Sequence, residues 1–420
     1  MIKLRSTIVY AGMLSLTLAG YLGIRQLGLG LEPPTGEGPV QFGSAPPGAS
    51  VDVLTHVLIA LVVIIIVARC LGSLFRRIGQ PPVMGEIIGG ILLGPSLLGR
   101  VAPEAYAFLL PHSVAPHLGV LAQVGVILYM FLVGLHLDTG LLRRRTEASI
   151  AISHTSILAP FLLGSALALV LYTRWGAPGA PFPVFAMFLG VSMSVTAFPV
   201  LARILADRNM HKSGLGALTL ACAAVDDVTA WCLLALVVGV ARSDPGHVLV
   251  TAGLTAAFIL VLYFLVRPIA RKFVHRRAKA PERSQGTLAI ACVALLVCAL
   301  ATESIGIHAL FGAFLLGALI PHDSHVARDI QTKLEDAVVV LLLPVFFAFT
   351  GMRTQMGLLS GPAEWIACAG IILVASAGKF GGSFVAARVT GSPWREAAAI
   401  GILYAAHGRM VQLDCEGVIP

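Results

Sequence analysis

Charged residues are scarce in this chain of 420 residues, at 12% of the total, where soluble domains carry roughly 25%. Apolar residues reach 57% and the mean hydropathy is +0.89. Apolar runs of about 20 residues, long enough to cross a bilayer, recur along the whole length. No stretch shows the short polar and apolar alternation of a membrane β-barrel. The composition therefore predicts an all-α polytopic membrane protein.

Two further absences narrow the function. The seven cysteines lie mostly inside apolar segments without metal-ligand spacing, so we interpret them as small buried hydrophobic residues. The net charge of +8 comes from basic residues that lie between the apolar runs, which is not the pattern of a nucleic-acid surface. We therefore expect no cofactor, no nucleic-acid partner and no metal beyond a transported ion, and the lipid bilayer as the surroundings.

Basic residues are distributed unequally between the two ends of the predicted spans. The spans are predicted at residues 54–74, 83–98, 117–136, 149–172, 184–205, 215–241, 247–267, 287–303, 305–320, 335–351, 363–389 and from 395 onward. The densest basic cluster, within residues 267–283, falls on the same side as Arg76, Arg77, Arg208 and Lys333. Because cytoplasmic loops are enriched in lysine and arginine, this side is predicted to be cytoplasmic. We expect the protein to lie in the inner (plasma) membrane.

The chain is expected to divide into five parts. Residues 1–25 are interpreted as either a cleaved signal peptide or an extra anchoring helix, two alternatives that stay open. They precede a Pro/Gly-rich external loop at 26–53. The remaining parts are a first transmembrane repeat, a linker helix with a basic cytoplasmic loop, and a second repeat, at 54–241, 242–286 and 287–420.

The centre of the chain carries the strongest functional signal. Asp226 and Asp227 lie at mid-depth of one apolar segment, where an ionisable residue costs about 2.5–3.5 kcal/mol on insertion scales. The preceding segment contains Ser194, Thr196 and Pro199. Because Pro199 cannot donate to the carbonyl four residues earlier, this helix is predicted to be loosened beside the acids. Hydroxyls on such a helix, next to carboxylates, are typical of cation sites in secondary transporters.

Seven motifs in a fixed order suggest a family. They are GQPPVMGEIIGGILLGPSLLG (79–99), MFLVGLHLD (130–138), SVTAFPVLARIL (194–205), AAVDDVTAW (223–231), ESIGIHALFGAFLLGALIP (303–321), LLPVFFAFTGMRT (342–354) and SAGKFGG (376–382). With these motifs the chain resembles the monovalent cation:proton antiporter-2 family over about residues 54–400. Each motif is weakly specific alone, and the shared order makes the set strongly specific.

The resemblance implies a fold, an assembly and an activity. The fold is an inverted-repeat sodium/proton antiporter fold with crossed discontinuous helices. The assembly is a homodimer in which a core domain moves against a dimerisation domain. The activity is exchange of Na⁺ or K⁺ for protons by alternating access, and a pair of two acids is associated with electrogenic exchange.

The resemblance also assigns roles to single residues. The family's paired acids fall on Asp226 and Asp227, and its core lysine on Lys379. Asp227 is expected to bind the cation or the proton, and Asp226 to be the partner of Lys379. Thr196 is interpreted as the second cation ligand. Lys379 is interpreted as an ion-pair partner, a proton carrier or both.

Three polar residues have lesser predicted roles. Ser194 is a possible accessory to the site through its hydroxyl. Glu303 is interpreted as an accessory acid on the ion path or as a capping residue at the outer face. Glu86 is interpreted as a packing or capping acid rather than a transport acid, within a glycine-rich segment that permits close helix packing.

The end of the chain departs from the family pattern. From Ala405 onward, the segment containing His407, Arg409, Asp414 and Glu416 makes a poor transmembrane span. We interpret the second repeat as incomplete, through a truncation or a change of reading frame. Under that hypothesis half of the crossed-helix site is missing.

These residues leave three alternatives to antiport. A cation efflux channel on the same scaffold would conduct without a proton gradient. An inactive truncated antiporter is the alternative that the C-terminal departure raises. An intramembrane aspartyl protease would need two acids on facing helices, and adjacent Asp226 and Asp227 do not meet that requirement. The sequence therefore favours a transporter over an enzyme.

Overall fold

The structure, a computed structural model, describes residues 2–32, 52–111, 113–137, 146–176, 180–196, 198–210, 213–241, 245–278, 284–359 and 361–411. Within these ranges the regular structure is entirely helical. The α-helices are α1 Ile2–Gly28, α2 Val53–Arg77, α3 Pro82–Leu93, α4 Leu98–Val101, α5 Pro103–Leu109, α6 Ala115–His136, α7 Thr146–Trp175, α8 Phe182–Ser194, α9 Phe198–Asp207, α10 Gly214–Ala241, α11 Pro245–Val261, α12 Arg267–Ala278, α13 Ser284–Ile305, α14 Ala309–Leu319, α15 His325–Ala337, α16 Leu343–Met352, α17 Pro362–Val389 and α18 Trp394–Val411.

Ten helical segments in the described ranges are long and apolar enough to cross a membrane, and α14 is a shorter apolar helix. Most predicted spans agree with these helices to within a few residues. One difference is that α15 begins at His325 rather than at residue 335. Another is that the basic segment expected to be a loop is helical as far as Ala278. Arginine, lysine and alanine are good helix formers, which explains why this segment stays helical.

Two helices continue through a π-helical turn that precedes a proline. The turn Leu262–Val266 joins α11 to α12, and the turn Val338–Leu342 joins α15 to α16. Pro268 and Pro344 lack the N–H group that would bond to the carbonyl four residues earlier. A local change of hydrogen-bond register accommodates each missing donor and keeps the helix continuous.

The N-terminal helix α1 packs against α7 and α8. The Tyr21 hydroxyl donates to the Pro183 carbonyl at 3.2 Å, and its ring lies 5.7 Å from that of Phe161. The Thr155 hydroxyl lies 3.0 Å from the sulfur of Met13. The choice between a signal peptide and an anchoring helix stays a prediction, as does the division of the chain into repeats.

The helices form two groups that meet at α9. In the first group α7 packs with α1, α8, α10 and α17, and α17 packs with α18. In the second group α3 packs with α2 and α16, α6 packs with α14 and α16, and α13 packs with α14. We call these sets the core group and the scaffold group. Helix α9 contacts α10 and α18 of the core group and α3 and α6 of the scaffold group, so it lies at their interface.

Glycines allow the closest helix crossings within the scaffold group. Gly90 on α3 lies directly against the backbone of Ala348 on α16. Gly134 on α6 faces α14, where a Cβ at this position would lie 3.0 Å from the Gly317 Cα. A methyl group has no room at either crossing, and the glycine-rich segment therefore packs closely, as the sequence predicts.

Candidate cation and proton site

The helix break lies between α8 and α9 and begins at Val195. Helix α8 ends at Ser194, and Val195 is extended with φ −61° and ψ 138°. Helix α9 begins at Phe198, so Pro199 is its second residue. The first N–H groups of a helix have no intrahelical acceptor, so proline costs nothing at this position. The Thr196 side chain, within the break, is 1% exposed.

Lys379 on α17 contacts the broken segment directly. Its ammonium group donates to the Ser194 carbonyl at 2.7 Å and to the Thr196 hydroxyl at 2.6 Å, and the residue is fully buried. Carbonyl groups at a helix C-terminus carry partial negative charge, which favours a cation there. A Cβ at Gly378 would lie 2.8 Å from the Pro160 Cα of α7, so this glycine allows α17 to approach the centre of the core group.

Asp226 is a fully buried acceptor of hydrogen bonds from α7. The Ser153 hydroxyl donates to its Oδ1 at 2.5 Å, and the Ser156 hydroxyl donates to its Oδ2 at 2.8 Å. Both serines are themselves fully buried, and Tyr404 of α18 lies beside the same carboxylate. Each oxygen of Asp226 therefore has a fixed donor.

Asp227 has a different environment, although it is the next residue. Its side chain is partly buried and lines a small pocket with Phe198, Trp231, His308 and residues 310–311. The imidazole of His308 lies 5.2 Å from the indole of Trp231, between ring centroids. Among the described residues, none donates a hydrogen bond to the Asp227 carboxylate or forms an ion pair with it.

Lys379 interacts with both aspartates through space. Within the described ranges no ion pair of 4.0 Å or less joins it to Asp226 or Asp227. Both carboxylates are nevertheless close enough to act on it electrostatically. The expected partnership of Asp226 with Lys379 is therefore an electrostatic one in this conformation, without direct contact. Two carboxylates and one ammonium group leave the ionised site with one net negative charge.

The two accessory candidates both have structural partners. The Ser194 hydroxyl donates to the Ile157 carbonyl at 2.9 Å and to the Gly190 carbonyl at 2.8 Å, while its own carbonyl accepts from Lys379. Glu303 is exposed and accepts a hydrogen bond from the N–H group of Ala309 at 2.9 Å. This contact caps the N-terminus of α14 and favours the capping interpretation of Glu303.

Sequence reasoning missed the residues that hold Asp226 and those that line the Asp227 pocket. Ser153 and Ser156 lie three residues apart on one helix face, within a span that contains Pro160. This spacing of two hydroxyls inside an apolar segment was a usable signal. Trp231 follows Asp227 by four residues on α10, which is a second usable signal. His308 gave none, because it comes from a distant segment that only the tertiary fold brings to this place.

The C-terminal helix reaches the site. Helix α18 contacts α8, α9 and α10, which is where the crossing partner of the broken helix is expected. It extends to Val411, beyond Ala405, where the departure from the family pattern begins. Residues 412–420 lie outside the described residues, and the hypothesis of an altered C-terminus stays a prediction.

A broken helix beside two acids and a lysine, inside a bundle of many apolar helices, is typical of ion-exchanging secondary transporters. The model of the transmembrane sodium/hydrogen exchanger family matches residues 57–411. The chain belongs to this family.

Named relatives agree with the family assignment. The chain is 42% identical over 362 residues to the Na⁺/H⁺ antiporter NhaS4 of Synechocystis, covering 85% of this chain and 88% of that protein. It is 38% identical to the cation/H⁺ antiporter 20 of Arabidopsis thaliana and 30% identical to the K⁺/H⁺ antiporter 1 of Saccharomyces cerevisiae. These matches cover 82% and 92% of this chain, but only 42% and 43% of the plant and yeast proteins.

A solved structure confirms the predicted fold. The structure of the sodium/proton antiporter MjNhaP1 from Methanocaldococcus jannaschii superposes with a TM-score of 0.62, covering 87% of this chain and 94% of that one. The sequence identity is 13%, so the likeness concerns the fold. The all-helical antiporter fold expected from the sequence is thus confirmed for this multi-pass membrane protein.

Proposed function

We propose that this protein exchanges Na⁺ or K⁺ for protons across the membrane, with Asp227 as the group for which the two ions compete. The observation that carries the proposal is the unequal treatment of two adjacent acids. Asp226 accepts hydrogen bonds from Ser153 and Ser156, whereas Asp227 has no donor among the described residues and lines a pocket beside the helix break. A carboxylate inside an apolar segment that has no hydrogen-bond donor among the described residues is suited to binding a transported ion.

Charge neutralisation supplies the coupling. A bare carboxylate in a low-dielectric interior faces a desolvation cost of several kcal/mol, on the order of that for other buried ions. A proton or a monovalent cation at Asp227 brings the net charge of the site from −1 to 0. The core group can then move against the scaffold group at a lower cost. Because both ions bind to the same carboxylate, only one of them is bound at a time, and their fluxes are coupled.

Thr196 supports the proposal as a second cation ligand. Its hydroxyl oxygen already accepts from Lys379 and retains a second lone pair that can face a cation. A cation at this oxygen lies close to the Lys379 ammonium and repels it. We infer that cation binding weakens the Lys379 contact with the broken segment. Lys379 then acts as a mobile ion-pair partner or proton carrier rather than a fixed charge.

Exchange can be tested by dye dequenching in everted membrane vesicles. After respiration has acidified the lumen, added Na⁺ or K⁺ is expected to restore the fluorescence of a pH-sensitive dye. Asp227→Asn is expected to abolish the response. Asp226→Asn is the matched control, because it makes the same change one residue away and its amide oxygen can still accept from one serine, so a measurable response is expected to remain.

The outcomes of this test are distinct. A full response in Asp227→Asn would remove this residue from the mechanism. Equal loss in both variants would contradict the division of roles between the two acids. A cation current without proton movement would indicate a channel. The comparisons support neither a channel nor an inactive fragment.

The assembly and the membrane are also proposed. The family resemblance supports a homodimer, and we place it in the plasma membrane; the clustering of basic residues on one side of the predicted spans supports an orientation with that side facing the cytoplasm. Cross-linking of the protein in isolated membranes tests the first point, and fractionation of the host membranes tests the second.

A further inference from the structure

A second cluster of buried charges lies outside the proposed ion site. Glu86 on α3 is 4% exposed and Arg203 on α9 is 7% exposed. The Arg203 Nη2 lies 4.0 Å from the Glu86 Oε1, and the Arg203 Nε lies 3.4 Å from the Oδ1 of Asp207, one turn further along α9. The Tyr129 hydroxyl of α6 is buried in the same region. Glu86 therefore has a charged partner, and its interpretation as a packing or capping acid is incomplete.

The cluster joins the two groups of helices. Glu86 belongs to the scaffold group, whereas Arg203 lies on α9, which continues the broken helix of the core group. Phe198, at the start of α9, lines the Asp227 pocket and packs edge-on against Phe314 of the scaffold group at 4.9 Å. Arg203 lies five residues further along, or about 7.5 Å toward the predicted cytoplasmic side. The Glu86–Arg203 pair therefore lies between the Asp227 pocket and that surface.

The cluster is paired but poorly hydrogen-bonded. In the described part of the chain the Glu86 Oε2, the Arg203 Nε, the Asp207 Oδ2 and the Tyr129 hydroxyl are all buried without a hydrogen-bond partner. A buried ion pair recovers its desolvation cost only when its geometry is good and its remaining polar atoms are satisfied. A loose pair with unsatisfied neighbours holds two surfaces together weakly. Separation of those surfaces would expose the same groups to water and offset the loss of the pair.

We propose that Glu86 and Arg203 form a latch that closes the predicted cytoplasmic path to Asp227, and that the pair must break when the path opens. The two residues are positioning residues, because they act through the placement of α9 and not by binding the transported ion. The inference rests on the proposed antiport function and on the movement of the core group against the scaffold group.

If the latch exists, breaking it should change the KM for the cation in opposite directions on the two sides of the membrane. Glu86→Gln removes one charge of the pair and favours the conformation that is open to the cytoplasm. The apparent affinity for a ligand is its intrinsic affinity scaled by the fraction of protein in the competent state. The KM for the cation is therefore expected to fall on the cytoplasmic side and to rise on the outer side, each by about fivefold or more.

The test measures the KM for Na⁺ and K⁺ in everted vesicles and in right-side-out vesicles. Asp207→Asn is the matched control, because it removes a carboxylate that faces Arg203 from its own helix and leaves the pair between groups in place. We expect the opposite KM shifts for Glu86→Gln and none for Asp207→Asn. The triple variant Glu86→Gln/Arg203→Gln/Asp207→Asn leaves no unpaired charge in the cluster and is expected to show the same shifts, which guards against misfolding of a single variant.

Other outcomes overturn the latch. A lower maximal rate with unchanged KM on both sides would mean that Glu86 serves only stability. Equal KM values for Glu86→Gln and Asp207→Asn would mean that the contact between Glu86 and Arg203 does not hold the path closed. The proposed function fails separately, if the unaltered protein shows no exchange or if Asp227→Asn retains it. The latch fails when exchange is normal but both KM values stay fixed.

Discussion

Replacement of Lys379 by methionine should destabilise the broken helix. Methionine keeps most of the side-chain volume and removes the charge and both donors, so the packing of α17 against α7 is retained. The variant leaves the Ser194 carbonyl and the Thr196 hydroxyl without their donor, and it leaves two buried carboxylates without a nearby cation. Removing one partner from a buried charged set costs about 3–5 kcal/mol.

This cost of about 3–5 kcal/mol is consistent with the hydrogen bonds that Lys379 donates. A hydrogen bond that involves a charged group contributes about 1.5–3 kcal/mol, and Lys379 donates two of them. Their sum sets an upper bound, because an additional proton at Asp226 or Asp227 can relieve the excess negative charge. We therefore expect a loss near the lower end, seen as a fall of several degrees in the unfolding temperature of the purified protein in detergent.

Two further variants make this measurement decisive. Arg388→Met is the matched control, because it removes a cation from the same helix at a position where the guanidinium lies over Trp394, away from the break. Arg388 is half-buried and also donates to the Ser392 carbonyl, so its removal is expected to cost about 1–2 kcal/mol, less than that of Lys379. Asp226→Asn combined with Lys379→Met should recover part of the lost stability. An unfolding temperature of Lys379→Met equal to that of Arg388→Met would refute the bridging role of Lys379.

Two other substitutions test the packing and the accessory site. Gly317→Ala should lower the free energy of unfolding by about 1–3 kcal/mol in chemical unfolding, because the new methyl group would meet the backbone of α6. Gly253→Ala is its control, since nothing lies within 4 Å of the added carbon. Equal effects of the two substitutions would contradict the close crossing. Glu303→Ala should cost about 1 kcal/mol of stability through loss of the cap on Ala309 and leave the cation KM unchanged; a raised KM in dye-dequenching assays would instead place Glu303 on the ion path.

The sequence predicted the elements with strong local signals. Long apolar runs predicted the spans, and Pro199 beside Thr196 predicted a helix break close to where α8 ends. Asp226 and Asp227 stood out because ionised groups are rare at that depth. The distinction between them was not predictable from local sequence, because it depends on Ser153 and Ser156, about 70 residues earlier in the chain and on another helix.

Glu86 is a second residue whose partner could not be predicted from its neighbours in sequence. An acid near the end of a glycine-rich span has an ordinary explanation in packing or capping, and its neighbours in sequence give no reason to seek another. Arg203 lies 117 residues away and becomes its partner only because α9 packs on α3. The helix break that sequence reasoning did identify separates α9 from α8, and beyond it α9 contacts α3 and α6 of the scaffold group.

The two buried clusters at opposite ends of α9 have the same charge composition but different chemistry. Each contains two carboxylates and one cation: Asp226, Asp227 and Lys379 near the break, and Glu86, Asp207 and Arg203 nearer the predicted cytoplasmic surface. An arginine stays protonated in proteins, whereas a buried lysine can release its proton. The cluster near the break can therefore change its charge during transport, and the cluster with arginine cannot do so through its cation. For this reason we place ion exchange at Asp227 and assign to Arg203 only the task of holding and releasing α9.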